Sequence, residues 1–329
     1  MFNKINNILY ISTGGGIGDA LNSLSTINLI NREIKPNKIY YYSTDLEKYW
    51  FEDKLLEFKP KNLEIIKSFP QHFGTKINQI TLSKKIINNF NLDYFDLIVD
   101  NQTVIKNTLI YKKIPHKYYI SPCCSYFFSK PFFFIKKTKN INLRIIKYLN
   151  KLLNLKLKPD YNIKIPEIFL NEAKKIIKYD KKYIGFSITM GHPTRNKEFD
   201  IKEIVKLSNH YSERYIPTFF IENKFVELKK FIKENIKNSF FPEDLVNQNL
   251  RKPMIVTALG SLTNFNISID NGISHMLAFS KNKNYIFYNK NSEKFKPLEE
   301  NSIIFDCENL DKSIDQLTCQ EILKFIDNN

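Results

Sequence analysis

The side chains best suited to chemistry lie in three short stretches, and the first is rich in glycine. The stretch "TGGGIGD", residues 13–19, holds four of the nine glycines of the chain and ends at the carboxylate of Asp19. Glycine is costly in backbone entropy, so this clustering indicates a tight turn, a phosphate cradle or a ligand pressed against bare backbone. Asp19 serves either as the N-cap of the next helix or as a general base that takes a proton from an attacking hydroxyl.

The glycine stretch matches neither of two common phosphate-binding motifs. Counted from Gly14, the dinucleotide fingerprint needs a third glycine at the place of Asp19. A P-loop ends in Gly-Lys-Ser or Gly-Lys-Thr, whereas this stretch continues with Gly-Asp-Ala. The mismatch argues against a nicotinamide oxidoreductase. It leaves Gly15, Gly16 and Gly18 as permissive backbone beside a carboxylate.

The second stretch, "ISIDNGISHMLAF", residues 267–279, reads as a strand, a tight turn and the start of a helix. The backbone amides at such a helix start point outward with the positive end of the helix dipole, which suits a pyrophosphate without a metal. Asp270 would hold sugar hydroxyls, and His275 would donate to a phosphate oxygen. The alternative is a core histidine with Asp270 as a cap, and the residues alone leave both interpretations open.

The third stretch, "GFSITMGHPTRNKEFD", residues 185–200, runs from a predicted strand into a polar loop. The loop contains His192, Thr194, Arg195 and Lys197. Hydroxyl, guanidinium and ammonium groups in one loop suit a diphosphate leaving group. The alternative is a solvated basic loop, and that alternative fits Arg195 better than Lys197.

Strands and helices must alternate along the chain to position these stretches. Apolar runs such as "KIYYYS" and "FDLIVDNQ" alternate with segments of helical spacing such as 19–34, which predicts parallel sheets covered on both faces. The alternation loosens over 136–166 and then restarts. A chain of 329 residues is longer than one core usually supports. We therefore predict an N-terminal domain, 1–160, and a C-terminal domain, 161–329, with ligands beyond the carboxyl ends of the strands.

The composition limits the classes of partner and cofactor. The formal net charge of +16 produces a positive field that suits nucleotides and anionic lipid surfaces. The sequence contains no basic helix, zinc finger or aromatic RNA-binding signature, so nucleic acid is not expected as a partner. The five histidines and four cysteines lack metal-binding spacing, so no metal is expected.

Cysteine usage and hydropathy predict a cytoplasmic protein. The cysteines form no disulfide framework, which indicates a reducing compartment. The chain contains no run of about 18 apolar residues that would span a bilayer. The aromatic segment 118–139 is broken by two prolines and followed by lysines. It is either a buried segment that packs on the sheet or a peripheral contact with a membrane surface.

The order of these stretches resembles glycosyltransferase family nine, the heptosyltransferase family. The resemblance is carried by "GGGIGD", then "FDLIVDNQ", then a strand followed by a Thr/Lys loop, and finally "DNGISHMLAF". It implies two Rossmann-like domains that face each other across a cleft, the GT-B arrangement. It also implies inverting, metal-independent transfer of a heptose-like sugar from a nucleotide diphosphate to a lipopolysaccharide or other surface-glycan acceptor. No cofactor is implied besides the nucleotide sugar, and the acceptor is lipid-linked or a glycan.

The resemblance also implies a role for each matching residue. Asp19 matches the loop aspartate that activates the acceptor hydroxyl, and Lys197 matches the lysine that neutralises the diphosphate. Donor binding is implied for Asp270, Asn271, Gly272 and His275. Thr189 or Thr194 stands for the family's hydroxyl cluster, and Glu222 or Glu227 for its acidic residue after the next strand.

Two departures from the family pattern bear on the donor. Asn271 stands where threonine or serine is common, and "EFD" replaces the tryptophan-proline pair after Lys197. The alternatives to a transferase are a nucleotide-sugar epimerase or phosphorylase on the same scaffold, or an inactive nucleotide-sugar-binding protein.

Overall fold

Strands and helices alternate through both halves of the chain, and the chain divides into two units after Asp160. The computed structural model describes residues 4–12, 16–43, 50–66, 93–136, 138–190 and 197–329. The N-terminal unit is Met1–Asp160, and the C-terminal unit is Tyr161–Asn329.

The N-terminal unit is built on a five-stranded sheet. Its strands β1 to β5 are Asn7–Ile11, Lys38–Tyr42, Leu63–Ile65, Phe95–Asp100 and His116–Ile120. The helices described in this unit are α1 at Ile17–Ile34, α2 at Ile105–Tyr111 and α3 at Ile141–Leu153. A short turn of 3₁₀ type at Cys123–Tyr126 follows β5.

The strand order of this sheet is β3-β2-β1-β4-β5, and all its pairings are parallel. β1 is buried from Ile8 to Ile11, because helices cover a parallel sheet on both faces. α1 packs against α3. The order reverses between β1 and β4, and in open α/β sheets ligands bind in the crevice beyond the strand ends at such a reversal.

The C-terminal unit has a second five-stranded sheet. Its strands β6 to β10 are Tyr183–Ser187, Ile216–Phe219, Phe265–Ile269, Asn284–Tyr288 and Ser302–Asp306. Its described helices, α4 to α11, are Glu167–Ile176, Ile201–Tyr211, Val226–Asn235, Pro242–Leu245, Pro253–Gly260, Gly272–Ser280, Ser292–Phe295 and Cys319–Asp327.

This sheet is also parallel, with the order β10-β9-β8-β6-β7. The reversal here lies between β6 and β8. Two groups of helices cover the sheet: α8 packs on α4 and α9, and α5 packs on α11. β6 and β9 are buried along their whole length, as expected of central parallel strands.

Two glycines allow close packing inside the C-terminal unit. A Cβ atom added to Gly185 in β6 would lie 2.1 Å from Asn266 Oδ1 and 2.7 Å from a ring carbon of Phe220. A Cβ atom added to Gly260, at the end of α8, would lie 2.4 Å from Leu277 Cδ2 of α9. A side chain at either position would therefore force the neighbouring side chains to shift.

Most predicted elements occur where the sequence places them, with ends that differ by a few residues. The spacing of apolar residues also predicts helices over 45–55 and 76–90. Residues 45–49 and 76–90 lie outside the described residues, Trp50 is helical, and 51–55 form turns. The elements β10, α7 and α10 were not predicted, because elements of four or five residues carry little periodic signal.

Candidate functional site

The crevice of the N-terminal sheet lies where the glycine stretch meets the end of β4. In the β1–β4 ladder Ile11 pairs with Asp100, and Asn101 N donates to Ile11 O at 2.9 Å. The chain leaves β1 beside this point and enters α1 at Ile17. Gly16 and Gly18 therefore lie at the start of the helix that follows β1, whereas residues 13–15, including Gly15, lie outside the described residues.

Asp19 lies in the first turn of α1, and its carboxylate secures the start of the helix. Gly16 is the N-cap residue, and Gly16 N donates to Asp19 Oδ2 at 3.2 Å. The N-cap interpretation of Asp19 is therefore wrong, because Asp19 is the third helical residue. Gly16 has a φ of −95°, which any residue can adopt. Among the described glycines none has a positive φ, so a left-handed turn does not explain Gly16 or Gly18.

A second carboxylate, Asp100, lies fully buried at the end of β4. Its Oδ2 accepts hydrogen bonds from Tyr119 OH at 2.8 Å, Thr108 Oγ1 at 3.0 Å and Gln102 Nε2 at 3.4 Å. Burial raises the pKa of Asp100 to about 6, and the hydroxyl and amide donors oppose that rise. Asp100 is not among the predicted site residues. The sequence signal for it is a carboxylate at the end of the apolar strand in "FDLIVDNQ".

In the C-terminal unit, Asn271 joins both sides of the strand-order reversal. It is the N-cap of α9, and its Oδ1 accepts from Ser274 N at 2.8 Å. Its Nδ2 donates to Ser187 Oγ at 2.9 Å and to Thr189 O at 3.0 Å, both just beyond β6 or at its end. One amide side chain thus fixes the α9 N-terminus against β6. Asp270 is not the cap, so the capping interpretation of that residue is wrong.

The start of α9 presents backbone amides at the carboxyl edge of the sheet. The Ser274 amide is satisfied by Asn271, while Gly272 and Ile273 precede the first intrahelical hydrogen bond. These two amides carry the positive end of the α9 dipole, which favours an anion. Gly272 and Ile273 are partly exposed, whereas His275 in the same turn is 6% exposed.

Lys197 and Asp270 form an ion pair beside this helix start. Lys197 Nζ contacts Asp270 Oδ2, and the two side chains are 21% and 13% exposed. The two residues are separated by 73 positions in the sequence. The sequence predicts a separate contact with the donor for each residue, and the ion pair between them was not predicted. Its effect is to hold an ammonium group next to the α9 N-terminus.

The remaining predicted donor residues differ in their placement. Thr189 is buried beyond the end of β6, and Thr194 lies outside the described residues. Glu222 is exposed beyond β7 and pairs with Lys224 at 2.8 Å. Glu227 is exposed in the first turn of α6. The geometry does not choose between the two glutamates.

Two further properties of the described residues concern metals and membranes. In that part of the chain, no three or more His, Cys, Asp or Glu side chains group together as ligands for a metal ion. No helix found there has both the length and the apolar character needed to cross a membrane.

Several solved structures of glycosyltransferases share this arrangement of strands and helices. A family 9 glycosyltransferase from Veillonella parvula matches with a TM-score of 0.71 and 15% identity, over 100% of this chain and 98% of the other. The E. coli heptosyltransferase WaaC with ADP matches with a TM-score of 0.66 and 14% identity, over 98% and 99% of the two chains. The chain has the fold of glycosyltransferase family nine.

The family-nine fold confirms the predicted α/β class with two Rossmann-like units and the resemblance drawn from the motifs. A UDP-GlcNAc 2-epimerase from Neisseria meningitidis bound to UDP-GlcNAc matches less well, with a TM-score of 0.51 and 13% identity over 98% of this chain and 91% of that one. No protein-family model matches the sequence, and no curated protein gives a significant match. Identities this low establish the fold alone.

Proposed function

We propose that this chain is a glycosyltransferase that moves a sugar from a nucleotide diphosphate sugar to an acceptor hydroxyl. One observation carries the proposal: the α9 N-terminus, Lys197 and Asp270 converge at the β6/β8 reversal. That combination offers backbone amides and an ammonium group to a diphosphate, and a carboxylate to sugar hydroxyls. The proposal is supported by the fold, which solved glycosyltransferases share.

The C-terminal unit is the proposed donor site. The amides of Gly272 and Ile273 and the ammonium of Lys197 would bind the diphosphate and stabilise the charge that develops on it as the sugar departs. A leaving group stabilised in this way needs no metal ion. Asp270 keeps Lys197 at the α9 N-terminus and has a second carboxylate oxygen with which to accept from the sugar.

The N-terminal unit is the proposed acceptor side, with Asp19 as the general base. Inverting transfer is a single displacement: the acceptor oxygen attacks the anomeric carbon, the bond to the diphosphate breaks, and Asp19 takes the proton of the hydroxyl. Asp19 Oδ2 accepts from the Gly16 amide. That hydrogen bond holds the carboxylate at the mouth of α1.

The motif resemblance and the neighbouring structures support the substrates proposed here. WaaC is described with ADP, which makes an ADP-sugar with a heptose the first donor to test. A lipopolysaccharide or related surface glycan, lipid-linked or free, is the proposed acceptor. Thr189, Thr194, His275 and one of Glu222 and Glu227 are proposed as further donor contacts.

The first experiment is a binding screen with ADP, GDP, UDP and dTDP by thermal shift. A ligand that binds only the folded state raises the melting temperature, so the matching nucleotide diphosphate produces the largest rise. In the variant Lys197→Met we expect a smaller rise in the melting temperature. In the control variant Lys206→Met we expect the same rise as in the parent protein. Lys206 is exposed on α5 and pairs with Glu203. No stabilisation by any of the four would contradict the donor site.

An epimerase is the second candidate, because a UDP-GlcNAc 2-epimerase shares the fold. Incubation of the protein with the stabilising nucleotide sugar, without acceptor, separates the two candidates. An epimerase changes the sugar configuration under these conditions, whereas a transferase leaves the sugar intact until an acceptor is added. An inactive binding protein would bind the nucleotide sugar and leave it unchanged, both without and with an acceptor.

A further inference from the structure

The positive charge of this protein is concentrated in one part of the N-terminal unit. Between Asn101 and Pro159 the sequence has thirteen lysine and arginine residues and no aspartate or glutamate. The whole chain has 50 basic and 34 acidic residues, so this segment supplies most of the formal net charge of +16. A segment with this excess of positive charge attracts an anionic partner within about a Debye length of the surface.

Three phenylalanines protrude from the same segment. Phe127 is 68% exposed, Phe132 is 58% exposed and Phe134 is 91% exposed. We call these three side chains the aromatic ridge. Among described residues, exposed apolar side chains also occur on α2, at Ile105 and Leu109, and α2 packs against the turn at Cys123–Tyr126. Exposed large aromatics grouped in this way mark an interaction surface.

The ridge is held outward by a buried frame. Tyr126 and Phe133 both pack on the ring of Tyr148 in α3, with centroid separations of 5.5 and 5.3 Å. Each of these two residues is a sequence neighbour of a ridge residue, so both parts of the ridge are fixed to one point of α3. Tyr126 OH also donates to Arg144 O at 2.9 Å.

Hydrogen bonds to the sheet add to this frame. Lys130 N donates to Tyr119 O at 2.8 Å, and Tyr119 N donates to Lys130 O at 3.0 Å, which joins the segment to β5. Ser129 Oγ donates to Ser121 O at 3.1 Å. From 132 to 136 the side chains alternate, so that Phe132, Phe134 and Lys136 face solvent while the residues between them are partly buried.

We propose that the aromatic ridge and its surrounding lysines dock this protein on an anionic lipid bilayer. The phenyl rings would enter the boundary between headgroups and acyl chains, and lysines such as Lys130, Lys136 and Lys139 would contact lipid phosphates. The segment thus combines the two attractions, apolar burial and surface charge, that peripheral membrane binding requires. Of the two interpretations of 118–139 from the sequence, the exposed ridge favours membrane contact, and the buried interpretation applies to Tyr119 and Tyr126.

The geometry favours a bilayer over a protein or a nucleic acid. Protein interfaces are depleted in lysine, whereas lysines adjoin this ridge on both sides in the sequence. Proteins that bind single strands stack bases on aromatics within a positively charged groove. A ring that is 91% exposed, as Phe134 is, does not lie in such a groove.

Vesicle co-sedimentation of the full chain tests the proposal directly. The vesicles are phosphatidylcholine alone, and phosphatidylcholine mixed with phosphatidylglycerol. We expect binding to the anionic vesicles that weakens as salt is added, and much weaker binding to the neutral ones. The triple variant Phe127→Ser, Phe132→Ser, Phe134→Ser should lower the partition coefficient by about tenfold or more, because it removes the inserted apolar surface.

A matched control removes the same amount of exposed apolar surface from the other unit. Ile168, Tyr179 and Leu245 are 58%, 102% and 61% exposed. The triple variant Ile168→Ser, Tyr179→Ser, Leu245→Ser should bind anionic vesicles as the parent does. The variant Lys130→Gln, Lys136→Gln, Lys139→Gln should bind about fivefold more weakly for each lysine removed.

A tryptophan reporter measures insertion itself. The chain has a single tryptophan, Trp50, so the parent protein supplies the background for Phe134→Trp. On addition of anionic vesicles, the new emission should shift to shorter wavelength and be quenched by lipids brominated on the acyl chain.

Three results would overturn the proposal. The first is equal vesicle binding by the parent and the ridge variant, or no binding to anionic vesicles. The second is tighter binding to a single-stranded oligonucleotide that is lost in the ridge variant. The third is a parent dimer that the ridge variant converts to a monomer, which would make the ridge an interface between two copies. None of these measurements depends on transferase activity.

Discussion

The two units place different chemistry at equivalent points of their sheets. Both sheets reverse strand order beside their first strand, at β1/β4 and at β6/β8, and both present a helix N-terminus there. In the N-terminal unit the side chains at the reversal are carboxylates, Asp19 and the buried Asp100. In the C-terminal unit an amide, Asn271, fixes the helix and Lys197 supplies an ammonium group beside it. The two reversals therefore carry different polar groups, which is why we propose a base for the N-terminal unit and an anion site for the C-terminal unit.

The largest expected effect is at Asp19, the proposed base of the N-terminal unit. Asp19→Asn should lower the transfer rate by about 10²- to 10⁴-fold, because the amide cannot accept the acceptor's proton. The asparagine oxygen can still accept from Gly16 N, so the helix start and the donor affinity should remain intact. The measurement is sugar transfer with the donor found by the binding screen. Asp19→Ala is the companion variant, because it removes the Gly16 hydrogen bond as well. Wild-type turnover by Asp19→Asn would rule out the base.

The next effect is expected at Lys197 in the other unit. Lys197→Met should weaken nucleotide diphosphate binding by about 10- to 100-fold, because a charge-assisted contact is worth about 1.5–3 kcal/mol. Titration calorimetry with the diphosphate and with the free nucleoside separates phosphate contacts from base contacts. The loss should occur for the diphosphate alone. Equal losses for both ligands would place Lys197 outside the phosphate site.

Asp100 offers a pH-dependent test of the N-terminal unit. Its pKa is raised from 3.8 to about 6, so the folded state binds a proton more tightly than the unfolded state does. The free energy of unfolding should therefore fall as pH rises from about 4 to about 6, and stay lower above that range. Asp100→Asn should remove about 3 kcal/mol of that fall, since each pKa unit is worth about 1.4 kcal/mol.

Urea unfolding followed by tryptophan fluorescence makes this measurement, because the single tryptophan, Trp50, belongs to the N-terminal unit. The surface variant Glu64→Gln is the control, since Glu64 is exposed and pairs with Lys38. A pH profile of Asp100→Asn parallel to that of the parent would show that Asp100 does not titrate in this range.

The smallest expected effect is at Asn271, which both caps α9 and binds the end of β6. Asn271→Ala should lower the stability of the C-terminal unit by about 1–2 kcal/mol, because the α9 cap and the bonds to Ser187 and Thr189 are lost together. Asn271→Thr retains a capping oxygen and should cost less. Calorimetry of both variants separates the cap from the cross-strand bonds. Equal losses would show that the bonds to β6 dominate.

The prediction from sequence succeeded where a signal is local. Hydrophobic periodicity and turn residues correctly located β1, α1, β8 and α9. Buried parallel strands and helix starts each need particular residue types at adjacent positions, so the signal is local. The roles given to the site residues stay predictions. What failed was the capping of α1 and α9, where the sequence offered Asp19 and Asp270 and the structure uses Gly16 and Asn271. Caps depend on where a helix begins, and sequence periodicity locates that point only to within a few residues.

By itself, the sequence determined the alternation of strands and helices, the two-unit plan and the basic segment at 101–159, because composition and period are properties of neighbouring residues. The tertiary structure alone decided that Lys197 contacts Asp270, that Asn271 reaches β6 and that Asp100 is enclosed by hydroxyl donors. These contacts join residues far apart in sequence, and strand order sets them. Strand order is chosen by packing of the whole sheet, which no local stretch encodes.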